Sequence, residues 1–258
     1  ALCTAVLDWA IDEGVGFSHF VSVGNMLDVG VADLIDFFDA DPHTDAIVMY
    51  VESITGAREF MSAARAFTRN KPIIAYKAGR FAESAKAAAS HTGAMAGVDD
   101  VYEAAFARAG IVRVDEFSDL LDCAELLARQ KLPRGQRLAI VTNAGGPGVM
   151  AADALLQRNG TLAKLSTETL RHLDDCLPAA WSQSNPVDIL GDASPNRFAD
   201  ATQIVLSDKC VDAIVVVLSP QAMTDPTGAA EALIQTVKST QKPVLTAWMG
   251  GSRVRGGI

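Results

Sequence analysis

The chain has 258 residues, close to the size at which one hydrophobic core stops growing, so two compact lobes are expected. Its 49% hydrophobic and 21% charged residues are those of a globular protein with a sizeable core, which excludes a disordered chain. The 31 Asp and Glu outnumber the 22 Lys and Arg for a net charge of -9, with no basic tract to follow a phosphate backbone, so nucleic acid is not an expected partner.

No apolar run approaches the roughly 20 residues that cross a bilayer. The start shows no signal-peptide pattern, and a cytoplasmic protein with no membrane partner is expected. Cys3, Cys123, Cys176 and Cys210 form no C-x-x-C pair and read as reduced structural thiols, with no metal site among them.

In chain order, the helix-like "ALCTAVLDWAIDEG" starts without methionine, as a piece trimmed from a longer protein would, and precedes a strand-like "FVSV" at 20–23. "DAIVMYVE" is the next strand and ends in Glu52, after which "SITG" turns the chain. "GAREFMSAARAFTRN" places Phe60, Ala63, Ala64 and Phe67 on one helical face. "KPIIAYK" and "GIVRV" are further strands, and between them lies the alanine-rich "AAASHTGAMAG" at 87–97.

The Pro and Gly of "RQKLPRGQR" at 129–137 break the pattern, which divides the chain into domains at 1–132 and 133–258. Beyond it, "RLAIVTN", "DAIVVVLS" and "KPVLTAW" are strands apolar on both faces, as in parallel sheets covered by helices. "TDAIVMYVESI" and "VDAIVVVLSPQ" occupy comparable places in the two halves, each followed by a helix and a Lys-Pro strand. The alternation of strand and helix predicts an α/β protein of two doubly wound parallel sheets.

Two places carry chemistry. In "VTNAGGPGVMAADAL" at 141–155 a strand ends, Gly145, Gly146, Pro147 and Gly148 turn the chain, and a helix opens whose free amides and positive dipole end suit an anion. Gly146, Gly148 and Ala151 satisfy a relaxed G-x-G-x-x-A, but the next strand, "TLAKLS", offers Lys164 where a dinucleotide site needs an acid, which argues against NAD. The turn is either a phosphate site or a tight structural turn.

The second place is His91, flanked by Ser90, Thr92 and Gly93. A neutral imidazole is a competent nucleophile toward phosphorus, and small neighbours let main-chain amides approach the anion it would carry. Glu52, at the carboxyl edge where parallel sheets gather their sites, is the candidate to fix the imidazole tautomer and stabilise the cation formed on attack. Its alternative role is to cap the following helix. Lys77 and Arg80 are either aids to such a site or surface charges.

Taken in order, "YVES", "KAGR" at 77–80, "AAASHTGAMAG", "TNAGGPG" and "SNPVDI" at 184–189 resemble the ADP-forming acyl-CoA synthetases, relatives of succinyl-CoA synthetase, over essentially the whole chain. The resemblance implies two flavodoxin-like domains, with His91 as phosphoryl carrier and Glu52 hydrogen-bonded to it. It implies a phosphate-binding set of Thr92, Gly93, Asn143, Gly145, Gly146 and Gly148, and no metal held by the chain. Two helix N-termini would face the phosphohistidine, one at 143–148 and one just before Ala1, where the customary S-x-S-G segment is missing.

The resemblance further implies CoA or acyl-CoA, ATP or ADP, phosphate and magnesium as reactants and cofactors of the full-length protein, none of them tightly held by this piece. The CoA-binding Rossmann and ATP-grasp domains of the family are the implied partners, along with a homo-oligomer, and the piece alone should not turn over. The alternative is an acyl-CoA-sensing region of a lysine acetyltransferase with a fused GNAT domain.

Overall fold

The structure is a computed structural model that describes residues 2–81, 84 and 98–258. It divides into two compact units, 1–129 and 130–258. His91, Thr92 and Gly93 lie outside the described residues.

The first unit contains α1 (Leu2–Asp12), α2 (Val31–Ala40), β1 (Ile47–Val51), α3 (Ala57–Phe67), β2 (Ile73–Lys77), α4 (Asp99–Ala109), β3 (Val112–Val114) and α5 (Phe117–Arg129). Its strands form a parallel sheet in the order β1-β2-β3, with Val51 opposite Lys77 and Tyr76 opposite Val114. Successive strand residues face opposite sides. Ile73 and Ala75 therefore join the core made by Ile35 of α2, Phe60, Ala63, Ala64 and Phe67 of α3, and Phe106 and Ala109 of α4. Tyr50 and Tyr76 turn the other way, stacked with ring centroids 5.8 Å apart and met edge-on by Phe117.

The expected strand at 20–23 is absent. Phe20, Val21 and Val23 remain exposed, and the region is shaped by local ring contacts instead, Phe17 on Phe20 and His19 on Phe37 and Phe38. A β-branched run becomes a strand only when a ladder partner takes its amides and carbonyls, and its composition cannot supply one.

The second unit contains β4 (Arg137–Thr142), α6 (Gly145–Gln157), β5 (Thr161–Leu162), α7 (Thr167–Cys176), β6 (Val187–Asp188), α8 (Pro195–Ser207), β7 (Ala213–Leu218), α9 (Pro226–Val237), β8 (Val244–Trp248) and a short 3-10 turn, Arg255–Gly257. The sheet runs β5-β4-β7-β8, all parallel, and β6 also pairs with β4. Its apolar strands are covered on both faces. Ala139, Val141, Ile214 and Val216 belong to one core with Leu173 and Phe198, while Ile140 and Val217 meet Ala152 of α6 on the other side.

Two short strands share one edge of β4: β5 pairs with Arg137 and Leu138, and β6 with Val141 and Thr142. Asn185 fills the gap between them. Its side-chain oxygen accepts from the Ile140 amide at 2.9 Å, and its nitrogen donates to the Leu138 and Ala163 carbonyls at 3.0 and 2.9 Å. The side chain thus takes the place of a strand residue in the ladder, and the following bond to Pro186 is cis.

The internal likeness has a structural counterpart. Lys71, before Pro72, donates to the carbonyls of Phe38, Asp39 and Asp41 at 3.0–3.2 Å, closing the end of α2. Lys242, before Pro243, donates to the carbonyls of Leu206 and Asp208 at 2.6 Å, closing the end of α8. In both units the Lys-Pro lysine thus satisfies carbonyls that a helix end leaves unpaired.

Arg137 opens β4 with its guanidinium on Asp212, Nε to Oδ2 at 2.7 Å and Nη2 to Oδ1 at 2.8 Å, while its amide donates to Oδ2 at 3.0 Å. The guanidinium hydrogen bonds hold the Asp212 carboxyl at about 2, against an ordinary value of 3.8, despite the opposing effect of burial. A carboxyl lowered on folding contributes stability that is complete above its unfolded value and lost as pH falls through the folded one. We expect Asp212→Asn to lower stability by about 1–2 kcal/mol at neutral pH, the exposure of the arginine discounting the full linkage value. In urea unfolding the gap between variant and parent should close as pH drops from 4 toward 2.

Candidate functional site

In the first unit, Glu52 directly follows β1 at the carboxyl edge of the sheet. The Tyr50 hydroxyl donates a long hydrogen bond, 3.4 Å, to its Oε1. Burial raises the Tyr50 pKa, and the neighbouring Glu52 charge adds to the effect. The N-cap position of the next helix belongs to Gly56, whose φ of 64° only glycine adopts without strain.

The same edge carries Lys77, the last residue of β2, and it is no surface charge at 1% exposure. Its ammonium donates to the Ala78 carbonyl and sits 4.6 Å from the centroid of the Tyr102 ring. Burial pulls its pKa down, Asp99 and Glu52 push it up, and Arg113 pushes it down. Tyr102 in turn accepts the Ile54 amide at 3.2 Å, joining α4 to the loop that follows Glu52.

Asp99 opens α4, just after the segment that contains His91. Its oxygens take both bonds of the Arg113 Nη2, at 2.7 and 2.8 Å, and Arg80 Nε approaches at 3.7 Å. Arg80 also pairs with Asp115 at 2.7 Å. Arg80 is therefore paired with acids at the start of α4 and just after β3. An open hollow of about 470 Å³ beside these groups is lined by Tyr50, Tyr76, Lys77, Arg80, Phe81 and Phe117, among others.

In the second unit, β4 ends in Thr142 and α6 opens at Gly145 with Ala144 as its N-cap, whose side chain makes no cap bond. Asn143 is 1% exposed, and its side chain bridges to the end of β7, donating to the Ser219 carbonyl at 2.9 Å and accepting the Ser219 amide at 2.8 Å. The Gly148 amide donates to the Ala144 carbonyl at 3.2 Å, and Pro147 has no amide proton. Helix geometry thus leaves Gly145 and Gly146 as the amides presented at the opening.

The glycines differ in what they are for. A Cβ on Gly148 would stand 2.9 Å from Thr142 Cγ2 and 3.3 Å from Pro186 Cβ, so this glycine lets α6 approach the strand ends. A Cβ on Gly145 would lie 3.2 Å from Asp188 Oδ2, and one on Gly146 would meet nothing within 4 Å. Asp188, whose carboxylate suits the positive end of α6, was legible in the sequence only as part of "SNPVDI". Gln221, which donates to the Asn143 carbonyl at 3.3 Å, had no sequence signal. Among the described residues no cluster of three or more His, Cys, Asp or Glu could hold a metal ion.

The geometry generates a contrast between two alanines. Gly148→Ala should cost about 1–2 kcal/mol in urea unfolding, because the methyl overpacks the join between helix and strand. Gly146→Ala should leave stability unchanged or raise it by a few tenths of a kcal/mol.

Comparison with known proteins places this architecture. Residues 1–127 match the succinyl-CoA ligase like flavodoxin domain, and residues 138–256 match the ligase-CoA domain. The chain is 41% identical over 254 residues to the ADP-forming acetate–CoA ligase I of Archaeoglobus fulgidus, covering 98% of this chain and 36% of that protein. It is 40% identical to the alpha subunit of the ADP-forming acetate–CoA ligase II of Pyrococcus furiosus, covering 97% of this chain and 56% of that subunit.

A structure of the dinucleotide-forming acetyl-coenzyme A synthetase 1 of Ca. Korarchaeum cryptofilum, in complex with phosphate and ADP, superposes with a TM-score of 0.93 at 36% identity, covering 99% of this chain and 56% of that one. The chain therefore spans between about a third and just over half of these relatives. They are CoA ligases and give no support to the acetyltransferase-linked alternative. With both halves matched and the likeness running through the whole chain, this protein belongs to the ADP-forming acyl-CoA synthetases of the succinyl-CoA synthetase-like superfamily.

Proposed function

We propose that this chain is the phosphohistidine-carrying core of an ADP-forming acyl-CoA synthetase, which interconverts acyl-CoA, phosphate and ADP with acid, CoA and ATP. Residues 1–132 form the domain of the phosphohistidine loop, and 133–258 a second domain of related architecture. Further domains or subunits supply the CoA and nucleotide sites, and the assembly works as a homo-oligomer in the cytoplasm. Magnesium accompanies the nucleotide there.

In this reading phosphate attacks the acyl carbon of the thioester, CoA leaves, and an acyl phosphate forms. His91 takes the phosphoryl group as the carboxylate departs, and then passes it to ADP. Glu52 accepts a hydrogen bond from the imidazole, keeps the attacking nitrogen unprotonated and offsets the positive charge that develops on the ring. Thr92 and Gly93 supply main-chain donors to the phosphoryl oxygens, since this chemistry depends mostly on positioning and charge stabilisation.

In the second domain, Gly145 and Gly146 are the phosphate donors, while Asn143 and Gly148 shape the opening. The observation that carries the reading is the position of Glu52, directly after β1 at the carboxyl edge of the sheet and hydrogen-bonded by Tyr50.

The full-length protein incubated with terminally labelled ATP should gain an acid-labile, base-stable phosphoryl group that is absent from His91→Ala. Glu52→Gln should slow the labelling at least about tenfold without unfolding the protein. Label that survives in His91→Ala would overturn the reading.

A further inference from the structure

Among the described residues, Lys77 is a buried charge to which the proposed reaction gives no role. Lys77 is fully enclosed, and an ammonium in that position costs solvation that a methionine of similar length would not. Its surroundings connect it to both sides of the proposed site. Across the sheet it lies opposite Val51, the residue before Glu52. On its own face it rests on Tyr102, whose hydroxyl accepts the amide of Ile54 in the loop that leaves Glu52.

Tyr102 belongs to α4, whose first residue, Asp99, is clasped by Arg113 at 7% exposure. Among the described residues, the charged and titratable groups that face Lys77 are thus Glu52 from the loop after β1, Asp99 and Tyr102 from α4, and Arg113 from β3, with Arg80 beyond on Asp99. One cation underlies the junction between the strand end that presents the glutamate and the helix that follows the segment containing His91.

We propose that Lys77 is a positioning residue for phosphoryl transfer at His91: its buried ammonium holds the 52–56 loop and the start of α4 in one arrangement through Tyr102, Asp99 and Glu52. This deepens the phosphohistidine reading and rests on it. The ammonium works while protonated. Burial lowers its pKa, so its hold weakens on the alkaline side sooner than an ordinary lysine's would. An arginine stays charged across that range.

The test is the pH dependence of His91 labelling by terminally labelled ATP in the full-length protein, from neutral pH to about 10. We expect Lys77→Met to label on the order of 10- to 100-fold more slowly at neutral pH with an unchanged KM for ATP. Lys77→Arg should recover much of that loss and keep its rate at alkaline pH where the parent declines. Tyr102→Leu, which removes the ring face, should move the parent's alkaline decline to lower pH. Thermal melts identify variants that fail to fold, and the parent with whichever of Lys77→Arg and Tyr102→Leu folds then decides the matter.

A Lys77→Met protein as fast as the parent, or an arginine variant or a Tyr102→Leu variant with the parent's alkaline decline unchanged, overturns the positioning role alone. Label that persists in His91→Ala removes the phosphohistidine reading and the role of Lys77 with it.

Discussion

Parallel pairing makes every strand in a sheet finish at the same edge, and both candidate sites of this protein depend on that constraint. In the first unit it brings Glu52 and Lys77 to neighbouring strand ends, because Val51 and Lys77 are paired in register. In the second it brings Asn143 beside Ser219, so one amide side chain can tie the ends of β4 and β7 and set the path into α6. Neither arrangement requires contacts between residues close in sequence. Both follow from strand direction and a fixed register.

The two edges use this proximity differently. The first unit gathers ionisable groups, with acids and bases interleaved so that each buried charge faces an opposite one: Lys77 among Asp99 and Glu52, and Arg113 on Asp99. The second unit gathers mostly main-chain groups, with the Asp188 carboxylate beside Gly145. Its side chains, Asn143, Thr142 and Gln221, hydrogen-bond backbone and so orient amides. An edge of the first kind suits proton and charge control around a nucleophile, and one of the second kind suits an anion.

What could be read from the sequence was the part governed by local pattern. The apolar spacing of Phe60, Ala63, Ala64 and Phe67 specified the inner face of α3, and runs apolar on both sides marked β4 and β7 as strands covered by helices. The placement of Glu52 at a strand end was legible because a strand and its turn are both local. The run at 20–23 misled for the complementary reason, since a strand exists only with its neighbour. The work of Asn185, of the Lys-Pro lysines and of Asn143 was hidden, because each acts on backbone groups far away in sequence. For Lys77, the letters gave a charge next to a turn, and only packing revealed that it is enclosed.

The shared border of β4 has a consequence for how the second unit behaves among other molecules. A long bare strand at the rim of a sheet invites foreign chains to add on, whereas here that rim is covered by two ladders of two residues each, separated by an asparagine that saturates the intervening backbone. A visiting strand would find no continuous row of donors and acceptors on that side, so the fold carries its own guard against runaway edge-to-edge association there.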